Sequence, residues 1–322
     1  MERRKFIKKS SAIVGLTAVG GSLVVGSGMY DAKSKRKVHR ILSSHRVNVG
    51  TLPVMRAFAG DQNDFVSPYV LFDEFGPVSI NPGADALKVE AHPHAGVSPT
   101  SYFLEGAGHH KDSLNYDFQI GKGDFMMFNS GRGAIHMEES GKEVIENGGL
   151  VHGFQVWLNT PSQYKFMNPT TTVNNGGDMG AIETKDYKIQ VVLGELFGAK
   201  SQIETLSPAF YYHVKMNENT RLDIPTNPID NAFIYMIRGE LELESAKALK
   251  KNQVALYKRG ESYINLFAKE GAEFMVLGGK PLDEVVFSYG PFVMNTEQQI
   301  RQCMQNYQRG LMGNPELVNL SN

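Results

Sequence analysis

The feature that most constrains the fold is a succession of short apolar segments, each bounded by a glycine turn. Residues 101–105 are followed by Gly106, and residues 154–158 follow Gly153. Segments of this length between tight turns are typical of strands in β-sandwiches and β-barrels. Hydrophobic residues make up 41% of the 322 positions, so a packed core is expected. We predict an all-β protein of the jelly-roll barrel type.

The second half of the chain repeats this pattern. Residues 233–237 lead into Gly239 much as residues 102–105 lead into Gly106. The repeat predicts two copies of one β-unit, which agrees with a length suited to two domains. The predicted organisation is a signal segment at 1–32, a basic linker at 33–45, a first barrel domain at 46–174, a second at 175–295, and a C-terminal helix with tail at 296–322.

The helix prediction rests on a capping residue and on apolar spacing. Thr296 is a good N-cap, and Ile300, Met304 and Tyr307 recur at helical intervals behind it. We therefore expect one short amphipathic helix near the C-terminus. The last residues, from 311 onward, are expected to be loose.

The N-terminus resembles a twin-arginine export signal. Arg3 and Arg4 are followed by Phe6 and Lys8 in the expected places, and then by an apolar, glycine-rich run. This resemblance implies contact with the export machinery, a periplasmic location and loading of any cofactor before export. The alternative is an uncleaved anchor, because about 18 apolar residues barely span a bilayer. The membrane is expected to be contacted only through this segment.

Two short pairs carry the chemistry. Side chains two apart on a strand point to the same side, so His92 and His94 share one space, and His136 and Glu138 share another. A single His-x-His pair is a weak signal, but two pairs of equal period, each beside glycine turns, predict one metal site. Three imidazoles and a carboxylate suit Fe(II), and also Mn, Ni, Cu or Zn. Such a set leaves coordination positions open for water, dioxygen or a chelating substrate.

The rest of the composition excludes several classes of protein. The net charge of −1 offers no electrostatic footprint for nucleic acid. A single cysteine, Cys303, excludes an intramolecular disulfide and a cysteine-rich zinc module. Among the other histidines, His110 is a candidate hydrogen-bond partner for one of the metal-binding histidines. We expect His109 in a solvated turn. We expect His152 either to line the barrel or to make a structural hydrogen bond. Trp157 is expected in the core.

Further strings resemble the pirin family of the cupin superfamily. They begin with His92-Pro-His94-Ala-Gly96 and continue through residues 103–106, 110–113, 121–124, 131–138, 149–159, 281–284 and 290–296. These strings occur in the family's order, from about residue 46 to about residue 310. The resemblance implies a monomeric bicupin with two β-barrel domains packed face to face.

The resemblance also implies a mononuclear iron in the first domain, held by His92, His94, His136 and Glu138. The second domain is expected to be metal-free. Aligning the two copies on their glycine turns places a poor ligand set opposite the four ligands, namely Pro225, Asn227, Tyr263 and Asn265. Ala95 replaces an arginine that is common in the family, and residues 97–99 also depart from its pattern. We expect these departures at the pocket mouth.

Three functions compete. Some pirins oxidise flavonols such as quercetin with dioxygen, which implies a chelated phenolic substrate and a catalytic role for Glu138 as a base. The second hypothesis is a non-catalytic iron protein that senses redox state or binds a partner. The third is a scaffold with a structural metal. We rank the dioxygenase first, although a shared fold does not establish activity.

Overall fold

The computed structural model describes residues 34–50, 52–59, 65–244 and 247–319. The predicted signal at 1–32 lies outside these residues. Within them, strands dominate, and the predicted all-β class with two barrel domains is confirmed. Among the described helices, none is long and apolar enough to cross a membrane.

The first domain combines a seven-stranded and a four-stranded sheet. The larger sheet has the order β12-β9-β6-β11-β4-β3-β2, and the smaller has the order β5-β10-β7-β8. The first twelve strands are β1 (Val38–Ser43), β2 (His45–Val49), β3 (Leu52–Ala59), β4 (Tyr69–Ile80), β5 (Val89–His94), β6 (Val97–Glu105), β7 (Gly108–Asp112), β8 (Asp117–Ile120), β9 (Phe125–Asn129), β10 (Ala134–Ser140), β11 (Gly149–Asn159) and β12 (Thr170–Asn174). A short helix, α1 (Lys142–Asn147), precedes β11.

The second domain is built mainly on an eight-stranded sheet. Its order is β1-β20-β18-β21-β17-β14-β13, with β19 paired to β18. The remaining elements are β13 (Ala181–Glu183), β14 (Tyr187–Leu193), β15 (Glu195–Leu196), β16 (Ala199–Lys200), β17 (Ala209–Pro225), β18 (Asn231–Glu242), β19 (Ala248–Lys250), β20 (Gln253–Tyr257), β21 (Tyr263–Gly279), β22 (Phe287–Tyr289), β23 (Phe292–Met294), α2 (Glu297–Gln308) and α3 (Pro315–Asn319).

The two domains pack face to face through an aromatic cluster. Phe233 of the second domain contacts Phe58, Tyr69 and Phe72 of the first, with ring centroids 5.3, 5.6 and 5.9 Å away. All three contacts are edge-on, which suits the charge distribution of aromatic rings. Alternation along the strands explains this interface, because one face of each large sheet lines its own barrel and the other face meets the partner domain.

Aliphatic side chains fill the interior of the second barrel. Leu222 pairs with Leu266 and Ile224 with Ile264, and all four are buried in one cluster. The aligned residues Pro225 and Tyr263 pair with each other one step along the same strands, where the side chains face the other way. The alignment on glycine turns therefore does not place Pro225 and Tyr263 in the barrel interior. That this domain is metal-free stays a prediction.

The ends of the chain are exchanged between the domains, which corrects the predicted linker at 33–45. Residues 38–43 of that segment form β1, which pairs antiparallel with β20 of the second domain. Just before it, Arg36 is only 1% exposed and donates to Thr226 Oγ1 at 2.7 Å and to the Asn227 carbonyl at 2.6 Å. This polar, basic segment can pack against the second domain because these hydrogen bonds satisfy the buried charge of Arg36.

The C-terminal segment packs on the first domain. The predicted helix is confirmed as α2, with Thr296 and Gln299 forming a reciprocal capping box. The expectation of a loose end is wrong for residues 312–319, since α3 forms there and Met312 and Val318 are 3% and 4% exposed. They join Ile135 in one apolar cluster, so the end of the chain completes the core of the first domain.

Candidate metal centre

Two neighbouring strands place the predicted ligands. His92 and His94 lie on β5, His136 and Glu138 lie on β10, and His136 is directly opposite His92 in the antiparallel register. Alternation along each strand then directs the imidazoles into the same interior space. The structure therefore brings the three predicted histidines together.

The three imidazoles converge through their Nε2 atoms. His92 Nε2 lies 3.1 Å from His94 Nε2 and 3.1 Å from His136 Nε2. Two nitrogens each about 2.1 Å from one ion, at right angles to each other, would be about 3.0 Å apart. The observed separations fit that arrangement.

Hydrogen bonds at the outer nitrogens set the tautomers. His92 Nδ1 donates to the Glu90 carbonyl at 2.8 Å, and His94 Nδ1 donates to the Pro291 carbonyl at 3.1 Å. Since a carbonyl can only accept, each neutral ring carries its proton on Nδ1 and a bare lone pair on Nε2. Two lone pairs at 3.1 Å repel each other unless a cation lies between them. The donor set therefore fits a divalent metal ion.

Burial keeps two of the rings neutral. Desolvation is the main cause that lowers the pKa of His94 well below its usual value, and the neighbouring His92 contributes. Desolvation likewise lowers the pKa of His136 well below its usual value, with further contributions from His92, His94 and His110. Neutral imidazoles are the form that binds a metal, so the pocket suppresses competition from protons.

Glu138 is held from the opposite wall of the pocket. The pairing of β10 with β5 shifts register between His136 and Glu138. Ser101 Oγ donates to Glu138 Oε1 at 2.9 Å, and Gln155 Nε2 donates to Glu138 Oε2 at 2.8 Å. The carboxylate oxygen lies within 4.8 Å of ligand atoms of His136 and His110. That Glu138 is the fourth ligand stays a prediction.

His110 lies beside His136 in the interior of the first barrel. It is fully buried, its ring centroid lies 5.3 Å from that of His136, and its Nε2 is 3.1 Å from Asp112 Oδ2. Asp112 is fixed in turn by the Thr171 hydroxyl and by the backbone N–H of Leu114. Within the described residues, neither His110 Nδ1 nor His136 Nδ1 has a hydrogen-bond partner. That His110 is the hydrogen-bond partner of a metal ligand therefore stays a prediction.

The histidine cluster opens into a cavity of about 410 Å³. Most of its lining is apolar, including Val54, Phe75, Phe103 and Trp157. Trp157 is the chain's single tryptophan, and its ring centroid lies 4.8 Å from that of His94. Trp157 is partly buried against the core cluster of Val70, Val97 and Val293, as expected, and it also lines this cavity.

A row of polar side chains crosses the apolar floor. Ser101, Gln155, Asp73 and Arg56 follow one another in register on neighbouring strands, and all four line the cavity. Arg56 binds Asp73 through two hydrogen bonds of 2.8 and 2.6 Å. No motif in the sequence singles out this row. Alternation in residues 154–158 would have placed Gln155 and Trp157 on one face, but it could not have shown what that face meets.

The family departures are buried and do not lie at the pocket mouth. Ala95 and Val97 are fully buried, and Ser98 is 5% exposed. Ala95 packs against the C-terminal helices, and Val97 packs against Val293. The prediction of a mouth position was therefore wrong, because the exchanged C-terminal segment covers this strand.

His109 and His152 make structural contacts. His109 lies on β7, where it bonds Glu139 at 2.8 Å and Asp117 at 2.6 Å, so the expected solvated turn was wrong. His152 Nε2 lies 2.7 Å from Glu74 Oε1, and the Tyr235 hydroxyl of the second domain donates to the other oxygen of Glu74. His152 therefore belongs to a hydrogen-bond network between the domains.

Two stacked β-barrels with a histidine cluster in the first define a protein of the bicupin class. The family models named Pirin and Pirin C-terminal cupin domain match residues 51–158 and 211–313, one on each domain and together more than half of the chain. The chain belongs to the pirin family.

Its relatives are similar along most of their length. A pirin-like protein of Caulobacter vibrioides is 28% identical over 86% of this chain and 95% of its own. Human pirin is 27% identical over 87% of this chain and 94% of its own. The crystal structure of quercetin 2,3-dioxygenase from Acinetobacter baumannii is 28% identical, covers 88% of this chain and 100% of its own, and has a TM-score of 0.84.

Proposed function

We propose that this protein is a metal-dependent oxidoreductase, with Fe(II) as the metal, that oxidises flavonol-type phenols with dioxygen. The observation that carries the proposal is that His92 Nε2 lies 3.1 Å from His94 Nε2 and 3.1 Å from His136 Nε2, beside an apolar cavity of about 410 Å³. The similarity to a quercetin 2,3-dioxygenase structure supports the choice of substrate class.

The residues of the site would have different roles. His92, His94, His136 and Glu138 would hold the ion, which when bound supplies Lewis acidity and one-electron chemistry toward dioxygen. The apolar walls and Trp157 would bind a planar aromatic ring and exclude water. Glu138, which lies at the cavity wall, would accept the proton of a substrate hydroxyl.

Oxygen uptake tests the proposal. Protein loaded anaerobically with Fe(II) should consume dioxygen when quercetin is added, and chelation should abolish this uptake. We expect Glu138→Gln to lower the rate by about 100-fold or more, because a general base contributes roughly that much. The matched control is Glu105→Gln, an exposed carboxylate paired with Lys122, which should leave the rate unchanged.

A metal-free protein or a Glu138→Gln variant as active as the wild type would refute the assignment. If the loaded protein binds its metal but no phenol stimulates uptake, the alternative of a redox-sensing or partner-binding pirin gains support. Sedimentation in the same buffer would test the expected monomer.

We also propose export by the twin-arginine route to the periplasm, on the strength of Arg3, Arg4, Phe6 and Lys8 and of the apolar run that follows them. Fusing residues 1–45 to a reporter that is active only when exported in the folded state would test this. Replacing both arginines by lysine should abolish the signal. Unchanged export would contradict the proposal.

A further inference from the structure

Ser101 and Gln155 form a cross-strand pair that faces Glu138. Ser101 on β6 is directly opposite Gln155 on β11 in the register of the large sheet. Each donates one hydrogen bond, at 2.9 and 2.8 Å, to a different oxygen of the same carboxylate. Two donors on two oxygens fix the plane of the carboxylate, which a single hydrogen bond would leave free to rotate.

The strand that carries Glu138 does not provide this restraint. The register of β10 against β5 shifts between His136 and Glu138, so the side chain departs from the line that aligns the histidines. Its orientation depends instead on the facing sheet. The two walls of the barrel therefore have separate tasks, since β5 and β10 place the imidazoles while β6 and β11 orient the carboxylate.

The pair is not explained by packing. Phe103 and Phe75 line the same cavity, and Ser101 is only 4% exposed. Burying a hydroxyl and an amide among aromatic rings is less favourable than burying alanine and leucine, unless hydrogen bonds compensate. Here the compensating partner that the structure shows is Glu138, which points to a role at the metal centre.

We propose that Ser101 and Gln155 are positioning residues that hold Glu138 in a fixed orientation toward the three-histidine centre. The proposal rests on the metal-dependent function above. With both oxygens restrained, the carboxylate keeps its orientation when the ion or a chelating substrate arrives, and no reordering is needed. Loss of an outer-shell partner of this kind typically weakens metal binding by about 10- to 100-fold.

Nickel titration of the full chain provides a readout that is independent of activity. Trp157, 4.8 Å from His94 between ring centroids, should be quenched when Ni(II) binds. Ser101→Ala and Gln155→Leu would be measured alone and combined with Glu138→Ala. The matched controls are Ser98→Ala, on the same strand but bonded to Asn129, and Gln190→Leu in the second domain.

We expect each cavity variant to raise the Kd for nickel by about tenfold or more in the wild-type background, and by less than about twofold when Glu138 is absent. The controls should not change the Kd. An unchanged Kd for both cavity variants, or an equal loss with and without Glu138, would overturn the proposal.

The outcomes separate this proposal from the proposed function. Nickel binding with the expected coupling but no phenol-dependent oxygen uptake would remove the dioxygenase and keep the positioning role. Phenol-dependent oxygen uptake without coupling between Glu138 and the cavity variants would keep the dioxygenase and remove the positioning role. A wild-type protein that binds no metal would overturn both, and its thermal unfolding would show whether it had folded.

Discussion

Lys165 connects the metal centre to the exchanged C-terminal segment. Its side chain is fully buried, and its ammonium donates to the Gly96 carbonyl at 2.7 Å, to Asn159 Oδ1 at 2.5 Å and to the Val293 carbonyl at 2.7 Å. Gly96 closely follows the ligand His94, while Val293 lies on β23. Burial lowers the pKa of Lys165 to about 7, so the ammonium is mostly protonated at pH 6.

We predict that Lys165→Met lowers the free energy of unfolding by about 3 kcal/mol at pH 6. Three buried acceptors lose their donor, and each costs about 1–2 kcal/mol. The apolar methionine recovers about 1–2 kcal/mol by packing without a charge to desolvate. For a chain of this size the melting temperature should fall by about 6 °C.

Calorimetry at pH 6 would measure the change. The matched control is Lys142→Met, because the Lys142 side chain is 79% exposed and its ion pair to Glu146 is long at 3.8 Å. This change should alter the free energy of unfolding by less than about 0.5 kcal/mol. A loss below about 1 kcal/mol for Lys165→Met would refute the reasoning, because the charge would then cost as much to bury as its hydrogen bonds contribute. Metal affinity should also fall, since Gly96 would lose its restraint.

Three further results are expected. Removing the metal by chelation should increase Trp157 fluorescence and lower the melting temperature, since bound metal contributes to folding free energy. Phe233→Ala should cost about 3–5 kcal/mol by emptying the aromatic interface, measured by urea unfolding against an exposed Phe287→Ala control. Burial alone would raise the pKa of Glu273, but His213 and Lys215 outweigh it and hold the pKa at about 2, below the usual 4.5. Stability should therefore fall as the pH drops from about 5 toward 2, and Glu273→Gln should lack this dependence.

The clustering of the three histidines could be predicted because the signal is local. A two-residue period on a strand fixes the side to which a side chain points, and that sufficed to bring together His92, His94 and His136. The glycine turns likewise sufficed to predict the barrel strands and the repeat. The capping pattern at Thr296 predicted α2, because a helix cap depends on neighbours within one turn.

The features that could not be predicted depend on strand register and on residues that are distant along the chain. Ser101 and Gln155 meet Glu138 only after three separate strands have paired, and no spacing in the chain records that meeting. The alignment of the copies selected Pro225 and Tyr263, which do not face the barrel interior, because glycine turns do not fix which face of a strand a residue occupies. The sequence predicts a linker around Arg36 because the hydrogen-bond partners of Arg36 lie about 190 residues away along the chain.

The exchange of chain ends also bears on the order in which the histidine cluster can form. His94 donates to the carbonyl of Pro291, and the strand that follows His94 is covered by the last described part of the chain. During synthesis, His92, His94, His136 and Glu138 leave the ribosome long before residue 291 does. A fragment that ends after the first barrel would therefore contain every predicted ligand but lack the carbonyl that accepts from His94.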